Sequence, residues 1–474
     1  MDLTLLAPEI ALVVLALLVL GLDLFVKSKR ALGYLTLVGL VVPTALAFSQ
    51  VGLHTTSFSG ALIVDNFAVF FKLLFLLAAM VVTLSAVQYA ERFFVWRGEF
   101  YGVLLFATFG MMLMAGTGDL IAIYIALETA SISLYVLAGF GKRDPASAEA
   151  GLKYLLLGAL ASAVLLYGMA LLYGLTGSTT LTVIGQKVSA LTGQPLALLA
   201  MTLVICGLGF KVAAVPFQMW APDVYQGAPT PVAAFLSVAS KASGFAVLLR
   251  LTSSALGPLQ PDWQSLFVAL AVVTMTVGNL AAIPQSNIKR MMGYSSIAMA
   301  GYLLVGMAAS AGGGGAPSIL LFLAAYTVTN LGAFAAIIAF SNATGSDEIE
   351  DYSGLAQRAP LLALGFAFCL FSLIGIPPLA GFFGKLYVFA EAFRRGGLEW
   401  LVVVALLNSA VSMYYYLRVV KVMYLNPARE PGGVRVPASL AAALTLTAVG
   451  VVALGIGIGP LMDTAAAAAQ TLRP

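Results

Sequence analysis

Five ionisable side chains stand inside long apolar stretches: Glu128 in "YIALETASISLYVLAGF", Lys153 in "EAGLKYLLLGALASA", Lys211 in "GFKVAAVPFQMW", Lys241 in "SVASKASGF" and Lys385 in "GFFGKLYVF". At the centre of a bilayer such a group costs about 2.5 to 3.5 kcal/mol on insertion scales, so it faces protein or water and has a partner. Desolvation and a neighbouring carboxylate act in opposite senses on the proton affinity of a lysine, so a small rearrangement can move a proton on or off it. The chemistry that one glutamate and four lysines of this kind support is proton transfer through the membrane. The competing reading is a set of ion pairs that only holds helices together.

Helical spacing puts Tyr124, Ser131 and Tyr135 on the face of Glu128, a polar stripe able to solvate a carboxylate. Asp119 falls near the helix end and reads as a cap. Lys241 has Ser237 one turn before it and Gly244 one turn after, which leaves room for a close helix neighbour or for water. Lys153 opens its helix and is the most ambiguous of the five. Lys72, Arg250, Arg418 and Lys421 lie nearer helix ends and are expected to snorkel.

Two of the lysines accompany helix breakers. Pro216 follows Lys211 by five residues, and Pro377–Pro378 in "SLIGIPPLAGFFGKLYVF" precede Lys385. A proline inside a helix removes a donor and frees a carbonyl, which hydrocarbon tolerates only where protein or a wet cavity satisfies it. Transporters place such breaks at mid-membrane sites.

The elements that must position these residues are membrane spans. The chain is 61% hydrophobic and 9% charged, against roughly 25% charged in an ordinary soluble domain. Apolar runs predict an all-α polytopic membrane protein of about fourteen helices, near 3–26, 31–50, 67–88, 100–116, 119–140, 150–174, 196–221, 229–252, 264–283, 289–311, 317–341, 357–391, 399–425 and 437–460. The first run has no basic leader and carries Glu9 and Asp23, so it reads as a span rather than a cleaved signal. The seventh and twelfth helices are broken. Their spacing predicts two five-helix repeats, inverted because five is odd. The division of this single transmembrane domain is then 1–98 for the N-terminal helices, 99–255 and 256–425 for the repeats, and 426–474 for the C-terminal helix.

Alternate loops hold Lys27, Lys29, Arg30, Arg92, Arg97, Lys142, Arg143, Lys289, Arg290, Arg358, Arg429 and Arg435, while the opposite loops and tail hold only Lys187, Arg394, Arg395 and Arg473. The positive-inside bias places both termini on the extracytoplasmic side. The net charge of +4 reflects this asymmetry rather than a nucleic-acid partner. The sequence offers no Gly-rich phosphate loop, nucleophile elbow or Cys/His metal spacing. Cys206 and Cys369 read as core residues and His54 as a solvated loop residue.

These segments, together with "LLAPEI", "GLDLF", "GFKVAAVPFQMWAPDVYQGAPTPVAAFLSVASKASGFAVLLR" and "GNLAAIPQSNIKRMMGYSSIAMAGYLL", resemble the antiporter-like proton-pumping family found in the membrane arm of respiratory complex I (NADH:quinone oxidoreductase). The resemblance spans most of the chain in order. It implies fourteen helices with inverted repeats and a buried axis in which Glu128, Lys153, Lys211, Lys241 and Lys385 relay protons. It also implies an ion pair between Glu128 and Lys211. No cofactor is implied in this chain; quinone and NADH or ferredoxin would be used by partner subunits. The implied partners are other membrane-arm subunits, the antiporter-like M and small ones such as K, in a bacterial inner membrane.

Helix eleven, "AAYTVTNLGAFAAI", lacks the lysine and histidine usual in subunits L and M and in sodium/proton antiporter subunits. That disfavours the main alternative, an Mrp-type cation/proton antiporter subunit. Gln218 and Met299 stand where related sequences often have histidine, so Tyr294, Tyr326 or Asn330 must serve there with water. A third reading makes the polar axis purely structural.

Overall fold

A computed structural model describes residues 2–26, 28–94, 96–311, 314–429 and 432–472; Lys27 and Arg473, used in the charge argument, lie outside them. Among the described residues thirteen helices are long and apolar enough to cross a membrane. Helices 1 to 6 are Leu3–Asp23, Lys29–Phe48, Asn66–Phe93, Arg97–Ala115, Leu120–Ala138 and Pro145–Thr176. Helix 7 is Pro195–Val212 (7a), a break, and Trp220–Gly227 (7b). Helices 8 to 11 are Thr230–Ser253, Gly257–Ala282, Ile288–Ser310 and Ala316–Thr344. Helix 12 consists of two short halves, Pro360–Ile374 (12a) and Ala380–Arg394 (12b), and completes the expected fourteen passages. Helices 13 and 14 are Glu399–Leu425 and Ala438–Ile456.

Hydropathy follows what each helix faces. Helix 1, at a mean hydropathy of 2.6, has 33% of its span buried, whereas helix 10, at 1.3, has 94%. A span that faces protein can bury serines and tyrosines against hydrogen-bond partners on its neighbours. Helices 8, 10 and 11 form the buried centre. Helices 9 and 10 touch through glycine: a Cβ on Gly278 would meet Ala298 N at 2.5 Å, and one on Gly301 would meet Met275 N at 2.5 Å, the close backbone approach that small residues permit in membranes.

Both breaks begin with a left-handed residue that ends the first half-helix, Ala213 (φ 59°) in helix 7 and Gly375 (φ 95°) in helix 12. The seventh passage runs on to Gly227, six residues past the expected end, because 7b restarts the helix after Pro216. Helix 8 contains a π-helical turn at Leu236–Ser240, directly before Lys241, which periodicity does not reveal. A two-stranded hairpin, Thr55–Ser57 with Leu62–Val64, links helices 2 and 3. A further helix, Ile458–Gln470, follows helix 14 and packs on helices 3 and 11, beyond the last of the fourteen expected spans.

The even-numbered topology is written in the loops. Arg30 pairs with Glu91 (3.2 Å), Lys289 with Asp347 (2.9 Å), Arg290 with Asp223 (2.6 Å), and Arg92 donates to Asn342 O, so the basic loops share one face. Near the chain's two ends, Asp2 N donates to Ser57 Oγ (3.4 Å) and Thr471 Oγ1 accepts from Phe67 N (3.2 Å), which puts both ends beside the helix 2–3 connection.

Candidate functional site: a buried polar axis

Helix 5 starts at Asp119, whose carboxylate accepts from Ile121 N (2.9 Å) and Ala122 N (3.1 Å), the expected cap. Capping sets the helix phase that turns Glu128 toward helix 6. There Ser162 Oγ is hydrogen-bonded to the Glu128 carboxylate and to Tyr124 Oη. One turn on, Ser131 Oγ accepts from Lys211 Nζ (3.0 Å). Lys211, in the last turn of 7a, is 3% exposed. The direct Glu128–Lys211 ion pair implied by the resemblance is not formed: the lysine binds the neutral hydroxyl three residues away on the same helix face.

The space beside Gly244 is filled rather than wet. A Cβ there would lie 3.3 Å from Lys211 Cγ, so the lysine stem of 7a lies along helix 8. Lys241 follows the π turn and donates to Ser296 O (2.6 Å) on helix 10. Ser296 Oγ in turn is 3.1 Å from both Tyr225 Oη on 7b and Tyr326 Oη on helix 11. Asn330 Nδ2 donates to Ser237 Oγ (2.6 Å), and Thr329 Oγ1 lies 2.9 Å from Ser372 Oγ on 12a. Tyr326 and Asn330 thus enter the polar network around Lys241. Tyr294 does not; it lies under the Arg290 guanidinium, 5.9 Å away. Gln218 is in the helix 7 break with a buried, unpartnered Oε1.

Lys385 closes the series. Its Nζ donates to Ile374 O (2.9 Å), a carbonyl left over where 12a stops, and to Ser409 Oγ on helix 13 (3.0 Å), and it sits 5.0 Å over the Tyr302 ring. The break thus frees a carbonyl and the lysine satisfies it. In helix 7, Phe210 O accepts from Ala213 N (3.1 Å) and from Trp220 Nε1 (2.9 Å), which ties 7b to the end of 7a. Tyr302 Oη accepts from Asn279 Nδ2 (3.0 Å), whose Oδ1 accepts from Tyr415 (3.1 Å), and Ser295 pairs with Tyr416. The sequence reading passed over Tyr302, Asn279, Ser409, Tyr415 and Tyr416. The "MYYYLR" run and the lone Asn279 of helix 9 are the signals that could have found them.

The structure also corrects the expected burial of three cations. Lys153 is not near mid-span: 42% exposed, it pairs with Glu149 (2.7 Å) and Asp223 (2.8 Å), and Asp223 also holds Arg290, tying 7b to helices 6 and 10 at the basic face. Lys72 does not snorkel but is fully buried, 2.8 Å from Glu9 Oε1 and 3.0 Å from Gln50 Oε1. Arg250 is also buried, bidentate to Asp65 (2.7 and 3.1 Å) and donating to Ala115 O (2.8 Å). Arg418 caps the end of helix 9 through Ile283 O and Gln285 O, and Lys421 is exposed.

A sequence model of the family described as NADH:quinone oxidoreductase/Mrp antiporter, transmembrane, matches residues 117–412. NADH-quinone oxidoreductase subunit N of Heliobacterium modesticaldum is 45% identical over 477 residues, covering 100% of both chains. A chain of respiratory complex I from Thermus thermophilus with bound aureothin superposes with a TM-score of 0.81 at 36% identity, covering 96% of this chain and 98% of that one. A chain of the Mrp complex from Dietzia sp. DQ12-45-1b gives a TM-score of 0.86 at 22% identity, covering 100% and 98%, a likeness of fold. With its matched segment running from the cap of helix 5 through the broken helices to helix 13, the chain belongs to the NADH:quinone oxidoreductase/Mrp antiporter family of transmembrane proteins.

Proposed function

We propose that the chain is the subunit-N component of the membrane arm of an NADH or ferredoxin:quinone oxidoreductase, where it carries out redox-coupled proton translocation and works beside the other membrane-arm subunits. Its relatives' names and full-length similarity support the assignment. The observation that carries the mechanism is the set of buried lysines: Lys211, Lys241 and Lys385 are each held by neutral oxygens, and serines, tyrosines and asparagines that can both accept and donate are clustered around them.

Protons are taken up from the cytoplasmic side, pass along these residues and leave through the half containing Lys385. Glu128 lies one turn from Ser131 and supplies the negative charge that a proton arriving at Lys211 requires. Electron donors and quinone act on partner subunits, which deliver redox energy by conformational coupling. The two repeats, 99–255 and 256–425, supply one broken helix each. Both termini lie on the extracytoplasmic side, supported by the shared face of the basic loops.

The test measures proton pumping and quinone reduction together in membranes carrying Lys211→Ala, with assembly checked on a native gel. An assembled complex in which both activities fall supports the relay. An assembled complex at wild-type level for both makes Lys211 a packing residue and removes the relay. The Mrp-type antiporter reading shares the fold, and copurification without quinone-reductase subunits would favour it instead.

A further inference from the structure

Helices 4, 5 and 6 border an open, largely apolar groove of about 860 Å³ at the basic face, lined by Trp96, Glu99, Ile132, Tyr135, Lys142 and Leu152 among others. Glu99 stands in the first turn of helix 4. Its Oε2 is buried without a hydrogen-bond partner, and among the described residues no ion pair engages it. Lys142 stacks instead over the Trp96 ring, 5.6 Å away. The ionisable groups on the wall are therefore Glu99, Lys142 and Tyr135, with the carboxylate uncommitted.

Tyr135 leads inward. It is 8% exposed, its ring meets that of Tyr154 edge-on at 4.7 Å, and its hydroxyl presses on Gly158 of helix 6, where any Cβ would collide with it. Glycine at 158 is what lets this hydroxyl reach deep between the two helices. Tyr135 is one turn beyond Ser131, the acceptor of the Lys211 hydrogen bond, on the same helix face. The order from surface to axis is Glu99, Tyr135, Ser131, Lys211.

Resting on the relay proposed above, we infer that Glu99 is the proton acceptor on the cytoplasmic side that feeds the first half of the axis through Tyr135. The carboxylate takes a proton from water at the groove mouth and passes it to the Tyr135 oxygen. The tyrosine releases its own proton toward Ser131, the serine does likewise, and the amine of Lys211 ends as the ammonium. Each hydroxyl accepts one proton and donates one, so only the two ends change charge.

The test is Glu99→Gln in the assembled complex, with proton pumping followed against cytoplasmic-side pH, alongside Glu99→Asp, Tyr135→Phe and Lys211→Ala. Glutamine keeps size and hydrogen-bonding capacity but cannot carry the proton, so pumping is expected to fall about tenfold or more, with a flattened pH profile, and aspartate is expected to restore most of it. Wild-type pumping in Glu99→Gln, with loss in Lys211→Ala, overturns the inference and leaves the relay standing. Wild-type pumping in both removes the relay as well. If Glu99→Gln fails to assemble, Tyr135→Phe decides: a comparable loss supports the path and wild-type pumping overturns it.

Discussion

At the scale of single residues, the buried cations fall into two groups that the sequence presents alike. Lys72 and Arg250 face carboxylates, Glu9 and Asp65; Lys211, Lys241 and Lys385 face hydroxyls and carbonyls. Lys72 is matched to a buried carboxylate, whereas the other three are held by neutral oxygens and form no ion pair. That difference makes the second group suited to transfer and the first to anchoring. Lys153 belongs to neither, since solvent screens its pairs with Glu149 and Asp223. Lys153→Ala is expected to lower pumping by less than about threefold, far less than Lys211→Ala. A loss as deep as that of Lys211→Ala, in the same pumping assay, would return Lys153 to the relay.

Among the elements, helix 8 is held at one end and irregular in the middle. Its C-terminal end is fixed by Arg250, clamped to Asp65 and Ala115 O and lying 4.8 Å over the Phe67 ring, while the π turn interrupts it just before Lys241. The clamp fixes the rotation that points Lys241 at Ser296. Asp65→Leu leaves the guanidinium buried and unpaired, a loss of about 3 to 5 kcal/mol, and is expected to lower the thermal stability of the assembled complex markedly. Adding Arg250→Met is expected to restore much of it, because the double variant buries no orphan charge. A double variant no better than the single would show that the site acts through packing alone.

Across the whole molecule, fourteen passages return both ends to one face, as the contacts of Asp2 and Thr471 with the helix 2–3 region record. Single cysteines at Asp2 and Thr471 are expected to react with a membrane-impermeant maleimide added to intact cells; labelling only after the membrane is opened would invert the orientation. By itself the sequence determined the span count, the two breaks and the burial of Lys211, Lys241 and Lys385, because hydrocarbon tolerates charge and proline only where something satisfies them. Span number and breaks are properties of short windows, so apolar length and punctuation suffice to read them. Partners are not. Whether a cation meets a carboxylate, a hydroxyl or open water depends on helices far along the chain, 80 residues away for Lys211 and 185 for Arg250, and so the sequence misplaces Lys72 and Arg250 at the surface and Lys153 in the interior. The π turn, the Tyr302–Asn279–Tyr415 network and the Glu99 groove were settled only when helices from distant parts of the chain packed, since which polar groups face each other is fixed by helix rotation and crossing, quantities that no local pattern encodes.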